Sequence, residues 1–399
     1  MKEQFKLGFG FSGVYDASRT IALAKRAEQI GLDSVWIAED YFQGGAFSIA
    51  SACAVNTSTI KIGIGVINPY TRHPSLIAME AVSLDEISGG RMIIAMGASN
   101  KRWIELQAGI PYVKPITATK ECTQIIKGLI RGDCVKFDGE YFKTGSIELE
   151  NKALRQDQPI FLGVKGDRAL AVAGEIADGV LLSAGSPLEY IQHVRERIAV
   201  GAERAGRDPS QIHIAAYLPT CVDPDGERAV HAMRAQAARY LGLHGASAIT
   251  ECAGLPQDLC ARYREDFLSG KKLDTDLPEQ IIDKLLIAGT PEKCKARIQA
   301  YRDAGVDMPI IYEATGAYSP EESLERIERY LMDCPPLFRI RIRQGLQHSC
   351  CSPVLLFQQA PAFQRKRQAL QTPITCLEQG ALAVLSCGCV LRFPFIVNS

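Results

Sequence analysis

Short apolar runs alternate with amphipathic stretches along most of this 399-residue chain. Eight of the runs read as strands: 5–10, 34–38, 60–66, 91–96, 159–164, 179–183, 212–218 and 308–312. Between them apolar residues recur at helical spacing. Helices are predicted over 18–30, from 46, over 74–87, over 114–130, and over 321–331, where Ser319-Pro320 is a start signal. The segment CVKFDGEYFKTGSIELE reads as a hairpin, and about 225–287 as a mixed, mainly helical insertion. The strands are short and apolar enough to be buried on both faces, the pattern of a parallel sheet. Eight β/α units within about 335 residues predict an α/β fold, a (β/α)8 TIM barrel with insertions. In such a barrel the chemistry lies at the C-terminal ends of the strands.

The third strand and its exit, IKIGIGVINPYTRHP over 60–74, are the most informative stretch. Gly63 and Gly65 leave alternate positions without a side chain. Glycine inside a strand marks a bulge or a place where another molecule meets the backbone. The polar loop from Asn68 to His73 follows at once, so this strand is expected to floor a cofactor site, with Gly65, Val66 and Asn68 beside the ligand. A strand end leading into a Pro-started helix is the plainer reading of the same residues.

Two β/α turns are suited to an anion. Gly97-Ala98-Ser99-Asn100-Lys101 follows the fourth strand, and Gly163-Val164-Lys165-Gly166-Asp167-Arg168 follows the fifth and leads into a helix. Small residues, exposed N–H groups and a nearby cation at a helix N-terminus favour phosphate. Gly8, Gly10 and Gly13 spell G-x-G-x-x-G, but the helix starts too late for its N-terminus to hold a pyrophosphate. Glu39-Asp40 places two carboxylates at the end of the second strand, where they can bind hydroxyls or a cation. The six histidines show no metal-binding spacing, and no nucleophile elbow or Walker loop occurs, so no metal is expected. Cys53, Cys122, Cys134 and Cys294 read as small core residues.

Composition changes the picture at one point. Net charge is zero, which gives no reason to expect nucleic acid or an anionic membrane as partner. Thirteen cysteines without a framework spacing, and no signal-peptide pattern, suggest a cytoplasmic protein. Residues 336–399, however, carry seven Lys and Arg against the single acid Glu378, and five of the cysteines. That tail is +6 and the remainder −6. Residues 1–335 are therefore expected to form the barrel domain and 336–399 a basic, poorly ordered appendage.

The segments GLDSVWIAED, IKIGIGVINPYTRHP, LDEISGGRMIIAMGASNK, AGEIADGVLLSAGSP, GAERAGRDPSQI and AGTPEKCKARI together resemble the luciferase-like barrel oxidoreductases, in particular their methylenetetrahydromethanopterin reductase branch. The resemblance spans roughly residues 5–333. It implies a luciferase-like TIM barrel that holds coenzyme F420, or alternatively FMN. It also implies a small-molecule substrate and a homodimer or higher homo-oligomer. Carried over, Glu39, Gly65, Val66, Asn68, Gly97, Ala98, Ser99, Gly163, Val164, Lys165 and Gly166 match cofactor-binding positions, and the Gly65–Val66 neighbourhood matches a bulge often built on a non-proline cis peptide. The chain departs from the reductase pattern at Gly10, at Glu39-Asp40 and at Asn100. These positions surround the pterin and the reactive face, so the resemblance carries the cofactor class further than the acceptor. Asp40 and Glu105 are the acids left as catalytic candidates. Three readings stay open: an F420-dependent hydride transferase, an FMN-dependent monooxygenase, and a flavin-binding barrel without catalysis.

Overall fold

The computed structural model describes residues 7–11, 15–313 and 316–332. Eight parallel strands, β1 (Gly8–Phe11), β2 (Ser34–Ile37), β3 (Lys61–Ile67), β4 (Met92–Met96), β5 (Ile160–Leu162), β6 (Gly179–Leu182), β7 (His213–Val222) and β8 (Met308–Tyr312), form its centre. Each pairs with the next, and β8 pairs with β1, which closes the barrel. Outside it lie α1 (Ala17–Gln29), α2 (Ala46–Val55), α3 (Pro74–Ser88), α4 (Pro115–Arg131), α5 (Asp167–Ile176) and α6 (Tyr190–Arg204). Between β7 and β8 come α7 (Gly226–His244), α8 (Ala248–Cys252), α9 (Gln257–Ser269), α10 (Glu279–Leu285) and α11 (Pro291–Asp303), and α12 (Pro320–Tyr330) follows β8.

Local chemistry sets these limits. Asp16 accepts the Arg19 N–H at 2.8 Å and starts α1. Pro74 opens α3, where its missing N–H costs nothing, and Gly89 in the left-handed conformation ends it. Ser319 and Glu322 form a reciprocal capping box on α12.

The barrel's interior is a core of its own, built from Trp36, Ile93, Phe161, Leu181, Ala215 and Ile310. Trp36 is fully buried and pairs across the sheet with Gly63. A Cβ on Gly63 would lie 2.3 Å from the indole, so this glycine is the space the tryptophan fills. Burying a side chain of that size contributes on the order of 2–3 kcal/mol.

The observed strands fall within a few residues of the predicted ones. The seventh runs on to Val222 because its end pairs with a short strand, Ile287–Gly289. The hairpin is present, with strands Val135–Asp138 and Lys143–Ile147. Gly8 and Gly10 of the G-x-G-x-x-G match are packing glycines, since a Cβ on them would lie 2.4 Å from Ser34 and 2.9 Å from the Tyr312 ring. Cys53, Cys122 and Cys294 are buried as expected, whereas Cys134 is exposed. A wide-turned π helix, Arg102–Gln107, was not foreseen. The expectation for 336–399 concerns residues outside those described.

Candidate active site

The C-terminal ends of the strands surround a cavity of about 510 Å³. Its floor is the bulge of β3. Gly65 pairs with Ala95 and Ile67 with Met96, so Val66 is the extra residue, and the Gly65–Val66 peptide is cis. A Cβ on Gly65 would meet Leu181 Cδ2 at 2.5 Å and Tyr217 Oη at 2.9 Å, so this position faces the barrel interior. Gly97 and Gly163 make room for Val66 from either side, since a Cβ on them would lie 3.0 Å and 2.3 Å from its methyl groups. Three loops are thereby locked together, with Gly97 N–H donating to Ile67 O at 2.9 Å and Gly163 N–H to Met96 O at 2.7 Å.

One end of the cavity is acidic. Glu39 and Asp40, at the exit of β2, both line it. They are not an equivalent pair, because Arg72 clasps Glu39 through Nη1 to Oε2 and Nη2 to Oε1, both at 2.8 Å. Tyr41 adds a hydroxyl to Glu39 at 3.3 Å and meets Thr71 Oγ1 at 3.1 Å, while the Asn68 amide donates to the Tyr41 hydroxyl. Asn68 also accepts from the N–H groups of Tyr70 and Thr71, at 2.9 and 3.1 Å. The field of Asp40 reaches the Tyr217 and Tyr312 phenols, and that of Glu313 reaches Tyr312 and Tyr240. Burial, and after it the Asp40 carboxylate, hold the Tyr217 hydroxyl far above its ordinary pKa, and burial does the same for Tyr312.

The other end is basic. Lys165 and Arg239 line the cavity, Lys165 from the β5–α5 turn and Arg239 from α7. The surrounding protein, and then Arg264, hold the Lys165 ammonium below its ordinary pKa. Behind them buried His244 meets the Ala184 carbonyl at 3.0 Å. Burial, then Lys165, lowers its pKa to about 4, so it is neutral at physiological pH and leaves the local charge to Lys165, Arg239 and Arg264.

Two hydroxyls in the cavity wall, Ser99 Oγ and Ser183 Oγ, are buried and lack a hydrogen-bond partner among the described residues. Ser99 also sits at φ 61°, a conformation that side chains rarely adopt. Unpaired buried hydroxyls are costly, and a ligand with polar ring edges is their natural complement. A bare backbone floor, two unpaired hydroxyls and a basic end fit a planar heterocycle with an anionic side chain.

Among the expected site residues, Glu39, Asp40, Gly65, Val66, Ser99, Gly163, Val164 and Lys165 line the cavity. Asn68, Gly97, Ala98 and Gly166 stand just outside it, and Gly166 takes a positive φ of 88° at the start of α5. Glu105 does not face the cavity. It lies on the π helix, paired with Lys101 at 3.2 Å and accepting the Tyr112 N–H at 3.2 Å. Trp103, Gln43, Tyr217, Arg239, Tyr240 and Tyr312 line the cavity without having been singled out. Period-two alternation along β7 could have pointed to Tyr217, whereas nothing local marks Arg239, which the insertion brings in from far along the chain.

The sequence profile of the luciferase-like monooxygenase family matches residues 8–308. The chain is 36% identical over 288 residues to a 5,10-methylenetetrahydromethanopterin reductase of Methanolobus tindarius, covering 71% of this chain and 86% of the relative. It is 31% identical to the enzyme of the same name from Methanopyrus kandleri, over 76% of this chain and 91% of the relative. The solved structure of the coenzyme F420-dependent tetrahydromethanopterin reductase from Methanopyrus kandleri superposes with a TM-score of 0.73 at 28% identity, covering 82% of this chain and 98% of that one. The chain belongs to the luciferase-like family of barrel oxidoreductases.

Proposed function

We propose that this protein is a coenzyme F420-dependent oxidoreductase that passes a hydride between reduced F420 and a small organic acceptor, the first candidate being the methylenetetrahydromethanopterin for which its relatives are named. The observation that carries the reading is the 36% identity to a reductase of that name. The cavity's chemistry agrees with it, because Lys165 and Arg239 line it together with the side-chain-free backbone of Gly65 and could meet an anionic cofactor. When bound, the deazaflavin supplies hydride donation and acceptance, and the protein supplies binding, orientation and electrostatics.

The chain's own residues then have separate tasks. The Gly65–Val66 backbone and the Ser99 and Ser183 hydroxyls receive the ring. Lys165 and Arg239 hold the anionic side chain. Asp40, with Tyr217 and Tyr312 beside it, provides the polar groups that orient the acceptor and move a proton to or from its heteroatom. Arg72 neutralises Glu39, and Asp40 lines the cavity beside it. Position 10 contributes no side chain, because Tyr217 and Tyr312 occupy the space above it.

Exposed apolar side chains on α2 and α3, Val55, Leu76, Met79 and Ile87, support a homodimer through these helices, and we place the protein in the cytoplasm. Among the described residues no helix is long and apolar enough to cross a membrane. The function is tested by following reduced F420 under anaerobic conditions with a panel of acceptors that includes methylenetetrahydromethanopterin. Acceptor-dependent oxidation is expected, and its absence with every acceptor would leave a binding protein.

A further inference from the structure

The cavity at the C-terminal ends of the strands has an aromatic wall beside its acidic end. Trp103 lines the cavity together with Glu39 and Asp40. Tyr41, next along the chain from Asp40, packs against the indole with ring centroids 5.8 Å apart and planes at 53°. Phe42, 66% exposed, extends the aromatic surface, its ring 5.6 Å from that of Tyr41. We propose that Trp103 selects the hydride acceptor, and that this acceptor is a flat nitrogen heterocycle stacked on the indole with its ring N–H groups towards Asp40. The inference rests on the F420-dependent reading above and adds to it the residue that chooses the second substrate.

The indole is held both by its own helix and from behind. Asn100 Oδ1 accepts the Trp103 N–H at 3.0 Å, at the start of the π helix Arg102–Gln107. Ile104 is fully buried and anchors that helix, while its neighbour Trp103 stays half-buried at the cavity. Tyr41 is fixed in turn by its hydroxyl, which meets Glu39 at 3.3 Å and Thr71 Oγ1 at 3.1 Å and accepts from the Asn68 amide. The wall is therefore built before any ligand arrives, and a ring that stacks on it pays little to order the side chains.

The chemistry of this end narrows the acceptor. Aromatic rings gain free energy beyond simple burial when they stack offset or edge to face. Among aromatic side chains the indole face attracts positive charge best, so it favours a ring whose atoms are electron-poor or protonated. A carboxylate accepts N–H groups and donates nothing. A flat ring that carries N–H groups satisfies both surfaces at once, whereas a small aliphatic alcohol or ketone leaves the indole face uncovered. Lys165 and Arg239, assigned above to the cofactor's anionic side chain, occupy the basic end, so the acidic end is the part of the cavity left to the acceptor.

The test is anaerobic calorimetry of tetrahydromethanopterin binding to the full chain saturated with oxidised F420, with F420 affinity and melting temperature measured beside it. Saturable binding is expected in the parent. It should weaken by roughly tenfold or more in Trp103→Ala and in Trp103→Leu, and recover most of that loss in Trp103→Phe, which restores a flat ring. Trp103→Leu keeps an apolar side chain against Tyr41 should the alanine variant fold poorly. F420 affinity should stay near the parent's in all three, and in turnover the acceptor's KM should rise while kcat changes little. Unchanged pterin affinity in both the alanine and leucine variants would overturn the inference, as would absence of saturable pterin binding to the parent. Loss of F420 affinity with pterin affinity intact would give Trp103 to the cofactor and overturn it equally, and so would reduction of F420 by 2-propanol without any reaction of the pterin. Failure of the parent to bind F420, a separate result read on the parent alone, would remove the functional reading and this inference with it.

Discussion

Arg72 grips Glu39 by two parallel hydrogen bonds of 2.8 Å each, across the gap between the loops that leave β3 and β2. Glu39 is 8% exposed, so its carboxylate depends on this partner. Arg72→Ala would leave a buried, uncompensated charge, a change that typically costs about 3–5 kcal/mol. Denaturant titration should show a loss of that order, and the double variant Arg72→Ala/Glu39→Gln should recover a large part of it. Equal losses in the two would mean that the ion pair contributes little.

The unpaired hydroxyls make an unusual prediction. Ser99→Ala or Ser183→Ala removes a buried group that has no partner, so the free protein should be as stable as the parent or slightly more so. Cofactor binding should weaken roughly three- to tenfold, the equivalent of one lost hydrogen bond of about 1 kcal/mol. Unchanged affinity in both variants would take the ring away from this wall.

Gly65 is tightly packed and lines the cavity proposed to take the ring. Gly65→Ala would press a methyl group to 2.5 Å from Leu181 and 2.9 Å from the Tyr217 hydroxyl, a clash that costs on the order of 1–3 kcal/mol even after the side chains shift. Melting temperature and cofactor affinity should therefore fall together. A variant that melts early but binds as tightly as the parent would make the residue purely structural.

Glu28 contributes to the acid limb of stability. Its Oε1 accepts the N–H groups of Ser58, Thr59 and Ile60 at 2.8, 2.6 and 3.0 Å, which pins the turn before β3. Burial alone would raise its pKa, but these donors outweigh it and bring it to about 2. The folded value lies below the unfolded one, so the stabilisation is present above about pH 4.3 and is lost as pH falls towards 2. Glu28→Gln should be less stable than the parent at neutral pH, and its stability should change less than the parent's between pH 5 and 2. Parallel curves for the two proteins would contradict this.

The barrel was legible because its strands carry a local signal. Each is a short apolar run, and Gly65 in β3 marks the floor of the cavity. The acidic edge was half legible. Glu39-Asp40 could be located at a strand end, but the asymmetry between them depends on Arg72, some thirty residues on, and no spacing rule links the two. Glu105 was a candidate only as an acid remaining where the chain departs from the reductase pattern, and it lies on the π helix, paired with Lys101. Arg239 and Tyr240 reach the cavity only because α7 folds back over it, a tertiary fact without a sequence pattern. The turn at 163–168 illustrates the converse, since glycine at 166 is required by a φ of 88° whatever its function.

The proposed roles of Gly65, Ser99 and Lys165 all depend on which ring the cavity takes. Fluorescence or calorimetric titration of the purified full chain with F420 and, separately, with FMN tests it most directly. Stoichiometric, saturable binding of F420 is expected, weakened at least tenfold by Lys165→Met, with FMN binding much more weakly or not at all. Tight binding of FMN with none of F420 would contradict it and move the protein to the monooxygenase side of its family.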